Sequence, residues 1–373
     1  MAIPQIFMQI SAARERGDLK TVRRLFKSVE KGYGDNSYFL FEKGMFELLN
    51  GANKKTVVLP LFEKAYRCGL NENFDFLFRF GMLLYELGIY ATSAEVLGKA
   101  IAIKPDHVGV LGYLACVFEK TGNPVTATNT YKIALKIEPR NISINFNIAG
   151  TLMVCGYQEE ALEAYKKAVE CIKEDSLRLT NAYNYSNYLF YSNYVEMNRD
   201  EYFALCQKYR TIWENEIPNI RPIFPETEKI KIGFVSGDFY FMAVSFFVSS
   251  LFENYDKNKF EFHLFSTLAR EKYDKNTKMF MEQTDKWHDI AKLNVNDVVN
   301  LIKKEKITVL VDLSGHTGGN GLLIFGRRPA PIQINYCGYP NTTGLKSIDY
   351  RITDNVCEPD DAQNYHSEKL FKM

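Results

Sequence analysis

Three glycines, Gly88, Gly122 and Gly156, recur at intervals of 34 residues, and three alanines, Ala100, Ala134 and Ala168, keep the same interval. So do Pro105 and Pro139, each closing a segment of the type KAIAIKP or IALKIEP. A period of this length constrains the fold more than any single motif. Each unit must be one supersecondary element that buries its apolar face only by stacking on its neighbours. The unit reads as a helix pair. The glycine falls in the turn between the two helices, where a positive φ is needed. The alanines let the paired helices approach closely, and the proline ends the second helix. Large apolar positions follow the same interval: Leu114, Phe118 and Tyr131 in one unit, Ile148, Leu152 and Tyr165 in the next.

This pattern matches the tetratricopeptide (TPR) repeat of about 34 residues. It is clear from roughly 73 to 175. Upstream, SAARERGDLKTVRRLFKS and FEKGMFELLNGANKKTVVLPLFEKAYRCG keep a helix–Gly–helix rhythm without the period, as degenerate or capping units do. A solenoid over 1–177 follows. Such arrays bind peptides along a groove and do no chemistry themselves, so an acceptor polypeptide is the expected partner. Asn145 and Asn147 fit either a groove that holds a partner's backbone or a solvated helix face. Residues 178–228 read as a helical linker, whose tyrosine-rich stripe fits either a binding surface or a packed contact.

The segment IRPIFPETEK (220–229) carries two prolines and marks a domain boundary. Beyond it, apolar β-branched runs alternate with helical patterns: KIKIGFVSGD, FEFHLFST, KWHDI, ITVLVDLSG, IQINYCGYP and IDYRITDN are the expected strands. This alternation predicts a Rossmann-like parallel sheet over 229–373, so the fold class is α plus α/β. Ligands of such sheets bind beyond the carboxyl ends of the strands. Those ends carry Ser236-Gly237-Asp238, the run Ser314 to Gly319, and the run Gly338 to Gly344. Gly- and Thr-rich loops with open backbone amides suit sugar hydroxyls or phosphates. None is a GxGxxG or Walker loop, so dinucleotide and ATP readings are weak.

Composition excludes several classes. Lys and Arg number 46 against 45 Asp and Glu, giving a net charge of +1 that suggests neither a nucleic-acid nor a membrane-surface binder. No stretch approaches the roughly 18 apolar residues of a membrane span. Seven scattered cysteines without CxxC or Cys/His ligand spacing support neither a zinc site nor a disulfide framework; no metal or cofactor is expected. With an N-terminus that reads as a helix start, a cytoplasmic location is expected.

The runs IGFVSGDF, LVDLSGHTGGNGLLIFGRRPAPIQINYCGYPNTTGLKSIDYRITD and YHSEKL resemble the N-terminal catalytic lobe of the O-GlcNAc transferase/SPINDLY family. With the TPR array upstream, the resemblance covers nearly the whole chain. It implies half of a GT-B fold, in which two Rossmann-like lobes face across a cleft. It also implies inverting transfer of GlcNAc from UDP-GlcNAc to Ser/Thr hydroxyls, with GDP-fucose as the alternative donor. The resemblance places His316 and Thr317 at donor and acceptor contacts, with His316 the candidate catalytic residue, and Gly338, Pro340 and Thr342 on a loop against the sugar. His288 matches a histidine at the cleft, though by itself it fits a core or surface role equally. Asp238 fits a cleft residue or a helix cap, and Arg327 and Arg328 read as solvated charges.

Two departures qualify the resemblance. Where the family carries a histidine after the SxDF aspartate, this chain has Met242, whose thioether cannot accept a proton at neutral pH. The second lobe, which supplies most nucleotide contacts, is not in the sequence. The chain is therefore expected to be an incomplete transferase with little activity alone. A non-catalytic TPR scaffold with a vestigial lobe is the alternative.

Overall fold

The computed structural model describes residues 5–172, 179–214, 220–225 and 228–373. The chain divides into two compact units, Met1–Cys171 and Ile172–Met373. The expected boundary at 177/178 falls outside the described residues.

The first unit is all helical. It runs α1 (Gln5–Glu15), α2 (Leu19–Tyr33), α3 (Ser37–Leu49), α4 (Leu59–Ala65), α5 (Phe74–Glu86), α6 (Tyr90–Ile103), α7 (Val108–Lys120), α8 (Pro124–Ile137), α9 (Ile142–Val154) and α10 (Gln158–Glu170). The turns α5–α6, α7–α8 and α9–α10 place Gly88, Gly122 and Gly156 at φ of 76°, 79° and 83°, a region in which a side chain would be strained. Ala100, Ala134 and Ala168 are fully buried. Close approach is enforced on the partner helix as well: a Cβ on Gly81 of α5 would stand 2.5 Å from the Leu97 side chain of α6. A further set keeps the interval. Asn73, His107 and Asn141 cap α5, α7 and α9 by accepting from the amides of Phe76, Val110 and Ile144. The change of residue type at the middle cap hides this set from a consensus. Ahead of the regular pairs, α4 is bracketed by π-helical turns at Lys54–Val58 and Tyr66–Leu70, where the 34-residue rhythm is absent.

The second unit opens with α11 (Leu179–Tyr191) and α12 (Arg199–Trp213), and part of its tyrosine stripe is packed inward: Tyr185, Tyr188, Tyr202 and Tyr209 are buried, whereas Tyr183 and Tyr194 are exposed. The rest alternates β1 (Ile230–Ser236), α13 (Ala243–Asn254), β2 (Phe260–Ser266), α14 (Lys275–Gln283), β3 (Lys286–Asp289), α15 (Val295–Glu305), β4 (Val309–Asp312), α16 (Leu322–Phe325), β5 (Ile332–Tyr336), β6 (Tyr350–Thr353) and β7 (Lys369–Lys372). All seven strands are parallel, in the order β3-β2-β1-β4-β5-β6-β7. β7 is an addition to the sequence reading. It is a four-residue edge strand with only half-buried alternate positions, too short and too polar to register as a run. One face of the sheet packs on a core of Phe234, Phe239, Val248, Phe252, Phe262 and Phe280. Among the described residues no helix is long and apolar enough to cross a membrane.

Candidate functional site

The strand order turns back between β1 and β4, where Ile232 to Val235 pair with Val309 to Asp312. Connections leave these two neighbours in opposite directions, so their carboxyl ends open a crevice that no crossover covers, and ligands of doubly wound sheets settle there. β1 ends in Ser236-Gly237-Asp238 and β4 in the loop from Leu313 to Gly321. The two are tied together: the Ser236 and Ser314 hydroxyls stand 3.3 Å apart, and the Thr267 hydroxyl beyond β2 donates to the Gly319 carbonyl at 2.6 Å. A hollow of about 200 Å³ lies to the β2/β3 side of the β4 loop, lined by Tyr183, Thr267, Ile290, Gly319, Asn320 and Leu323.

Asp312, the last residue of β4, shapes the loop that follows. Its carboxylate is fully buried and accepts from the Ser314 amide at 3.1 Å, the Gly315 amide at 2.9 Å and the Asn335 side chain at 2.8 Å. Burial pushes its pKa up to about 6 against the pull of those donors. Beyond this anchor the chain rises to the surface. Gly318 and Gly319 are exposed, and among the described residues their amides meet no acceptor. Two adjacent free amides at a parallel-strand end can receive phosphate or hydroxyl oxygens. Beside them Asp238 is half-buried, and burial raises its pKa, opposed by Lys272. No donor to its carboxylate occurs among the described residues, and the cap position of α13 belongs to Met242, which makes no side-chain cap bond. The capping reading of Asp238 is thereby corrected. A half-buried, unpaired carboxylate of raised pKa is suited to exchanging a proton.

His316 lies deeper than a loop between Gly315 and Thr317 suggests. It is fully buried, with Nε2 3.0 Å from the Thr343 carbonyl and Nδ1 2.7 Å from the Ser186 hydroxyl of α11. The carbonyl can only accept, so Nε2 carries the proton and Nδ1 accepts from Ser186. Tyr209 and Tyr339 pack edge-on to the ring at 5.0 and 5.3 Å. Both nitrogens are committed, and burial lowers the pKa to about 3. The imidazole links the β4 loop, the β5 loop and α11. Thr317 turns back, its hydroxyl donating to the Ser314 carbonyl at 2.8 Å.

A pH dependence follows from His316. Its folded pKa lies below the unfolded value of about 6.5, so the unfolded chain binds the proton more readily between those values. The contribution is fully present above about pH 6.5 and is lost as pH falls towards 3. From pH 7 to 5 the second unit is expected to lose about 2 kcal/mol through this residue. Denaturant titrations at both pH values should show a correspondingly flatter dependence in His316→Gln. Equal slopes in the two proteins would refute the assignment.

The β5 loop is held as firmly. Gly338 lies so close to β4 that a Cβ there would fall on the Leu313 carbonyl. Thr342 is buried and donates to Glu368 Oε2 at 2.6 Å, while the Thr343 amide donates to Glu368 Oε1 at 2.8 Å. Pro340 is exposed and lines a different hollow, of about 400 Å³, with Asn193, Met197, Tyr202, Tyr365 and His366. Arg351 of β6 reaches Asn335 Oδ1 at 2.5 Å, the carbonyls of Tyr339 and Asn341 at 2.8 and 3.1 Å, and Glu358 at 3.3 Å. Arg328, read from sequence as a solvated charge, is instead buried. It donates to the Ser347 carbonyl and to Asp349, both at 2.6 Å, because the chain folds back over it at β6.

His316, Thr317, Gly338 and Thr342 thus belong to one connected set of loops. His288 stands apart on the edge strand β3, stacked on Phe265 at 4.5 Å and 3.2 Å from His263 Nδ1; burial lowers its pKa to about 4. Met242 is exposed at the start of α13.

The first unit carries a groove of about 840 Å³ lined by Tyr85, His107, Tyr113, Cys116, Asn141 and Asn147. Asn147 lines it, but Asn145 does not. The Asn145 amide is buried and donates to the carbonyls of Pro139 and Asn141, closing the loop between repeats.

Residues 198–373 match glycosyl transferase family 41. A protein of Oryza sativa subsp. japonica, described as a probable UDP-N-acetylglucosamine–peptide N-acetylglucosaminyltransferase SPINDLY, is 33% identical over 223 residues, covering 57% of this chain and 23% of that protein. Its Arabidopsis thaliana counterpart is 34% identical over 199 residues, covering 52% and 21%. The chain therefore spans under a quarter of the length of these relatives. A solved structure of a Thermobaculum terrenum O-GlcNAc transferase mutant superposes with a TM-score of 0.66 at 23% identity, covering 80% of this chain and 57% of that one. At that identity the likeness is one of fold.

Proposed function

We propose, from the match of residues 198–373 to glycosyl transferase family 41, that the chain carries the acceptor-binding part and one catalytic lobe of a protein O-glycosyltransferase. The reaction would move GlcNAc from UDP-GlcNAc to a Ser or Thr hydroxyl with inversion. The observation that carries this reading is the β1/β4 crevice, where the free amides of Gly318 and Gly319 lie beside a half-buried carboxylate. Amides there receive donor oxygens, and Asp312, His316, Gly338 and Thr342 act through the backbone they hold rather than by touching the sugar. The groove of the first unit, with Tyr85, Tyr113 and Asn147 on its walls, offers rings and amides to an extended acceptor polypeptide. A reducing, cytoplasmic setting fits the seven free thiols.

Calorimetric titration of the 373-residue chain with UDP-GlcNAc, UDP and GDP-fucose tests the reading. Submillimolar binding of one sugar nucleotide is expected and identifies the donor. The chain alone is expected to turn over little, since the family's cleft is built from two lobes; brisk transfer would overturn that part. A second reading, a protein-binding scaffold with a vestigial lobe, is favoured by one observation: Met242 presents an exposed thioether at the start of α13. Absence of binding by any of the three nucleotides would sink the donor-site reading and leave the scaffold.

A further inference from the structure

Away from the crevice, on the β2–β3 edge, three side chains from separate elements converge. His263 of β2, His288 of β3 and Glu305, the last residue of α15, bring one donor atom each within 4.8 Å of one another. We propose that these three residues bind a divalent transition-metal ion, Zn²⁺ being the best fit.

The donor geometry supports this. His263 Nδ1 and His288 Nε2 are 3.2 Å apart. Two imidazole nitrogens sharing a tetrahedral zinc at about 2.0–2.1 Å lie about 3.3 Å apart, so both rings serve one ion with almost no movement. Glu305 Oε2 is 3.9 Å from His263 Nδ1, and a small swing of its side chain completes a third ligand, leaving one position for water. Two imidazoles and a carboxylate suit zinc better than calcium or magnesium, which take oxygen ligands.

The surroundings are those of a metal-bound histidine. His263 Nε2 lies 2.7 Å from Glu261 Oε1, so Nε2–H donates a hydrogen bond to that carboxylate and Nδ1 is left with its lone pair aimed at His288. His263 is fully buried, and His288 is fixed by stacking on Phe265 within 10° of parallel. Two lysines must be accommodated. Lys286 Nζ bonds Glu305 Oε2 at 2.7 Å and stands 3.8 Å from Glu261, and Lys231 Nζ is 3.6 Å from Glu261. The Lys286 side chain is 44% exposed and can turn to solvent when an ion takes its place on Glu305. The ligands lie on three elements far apart in the chain, so no short ligand spacing signals the site.

The test is calorimetry of the EDTA-stripped, desalted chain with Zn²⁺, alongside the visible absorption of its Co²⁺ complex. Wild type is expected to bind one Zn²⁺ and to show Co²⁺ d–d bands. His288→Ala and Glu305→Gln are expected to weaken Zn²⁺ binding by about 10- to 100-fold, and His288→Ala to abolish the bands. Both variants keep the exposed thiols of Cys68 and Cys357, so residual binding there is common to all. Circular dichroism checks folding; should His288→Ala fold poorly, Glu305→Gln at the helix end decides. No Zn²⁺ binding by wild type, or equal affinity in wild type and the folded variants, would overturn the site.

Discussion

Replacing Gly338 with alanine is expected to unfold the second unit while the helical repeats of the first remain. The new methyl would fall on the Leu313 carbonyl and within 2.9 Å of the Ser314 amide, and both are backbone atoms that no rotamer change can move. Relief requires the β5 loop to leave β4. That would break the turn from the Gly338 amide to the Tyr336 carbonyl and pull Thr343 from His316. A backbone collision of this kind belongs with the rare substitutions that cost more than about 4 kcal/mol. Both tryptophans, Trp213 and Trp287, lie in the second unit, so their fluorescence during urea unfolding reports on it alone. A loss below about 1 kcal/mol would show that the two loops are not in contact. Gly318→Ala provides the control, since a Cβ there meets nothing within 4 Å.

The second large effect is expected at Arg351. Its guanidinium is the shared donor for Asn335, two loop carbonyls and Glu358, all in a buried setting. Arg351→Met fills similar space but leaves the Glu358 carboxylate, 6% exposed, without the guanidinium that pairs with it. Breaking a buried pair from one side costs about 3–5 kcal/mol, most of it the uncompensated charge. The double variant Arg351→Met/Glu358→Gln should therefore recover part of the loss. Tryptophan-monitored unfolding measures both. A double variant less stable than Arg351→Met would contradict the charge argument.

These residues also show where sequence reading reaches and where it stops. Gly88, Gly122 and Gly156 could be placed in turns because a positive φ selects glycine locally, and Ala100, Ala134 and Ala168 because close helix approach selects a small side chain. Six of the strands announced themselves as apolar runs; β7 did not, since an edge strand needs little apolar surface. Burial imposed by distant segments left no local mark. His316, set between Gly315 and Thr317 at a strand end, carries no local sign of full burial. Only the placement of α11 and of Thr343 closes it in. Arg328 reads as a solvated charge and Arg351 carries no sequence signal, because their partners, Asp349 and Glu358, are brought to them by the β6 return. Glu368 sits in the family run YHSEKL, and its job is to hold Thr342 and Thr343. The positional likeness to the family was legible. That His316, Thr317 and Thr342 spend their polar groups on neighbouring loops became visible only in the third dimension.

The most direct test of the β1/β4 crevice as the donor site is UDP-GlcNAc titration of Gly318→Leu against wild type. Gly318 faces open space, so leucine leaves the fold intact and places its side chain beside the free amides. The account predicts wild-type stability with donor affinity reduced at least about tenfold, equivalent to about 1.4 kcal/mol. Unchanged affinity in a folded Gly318→Leu protein would contradict it and place the nucleotide elsewhere.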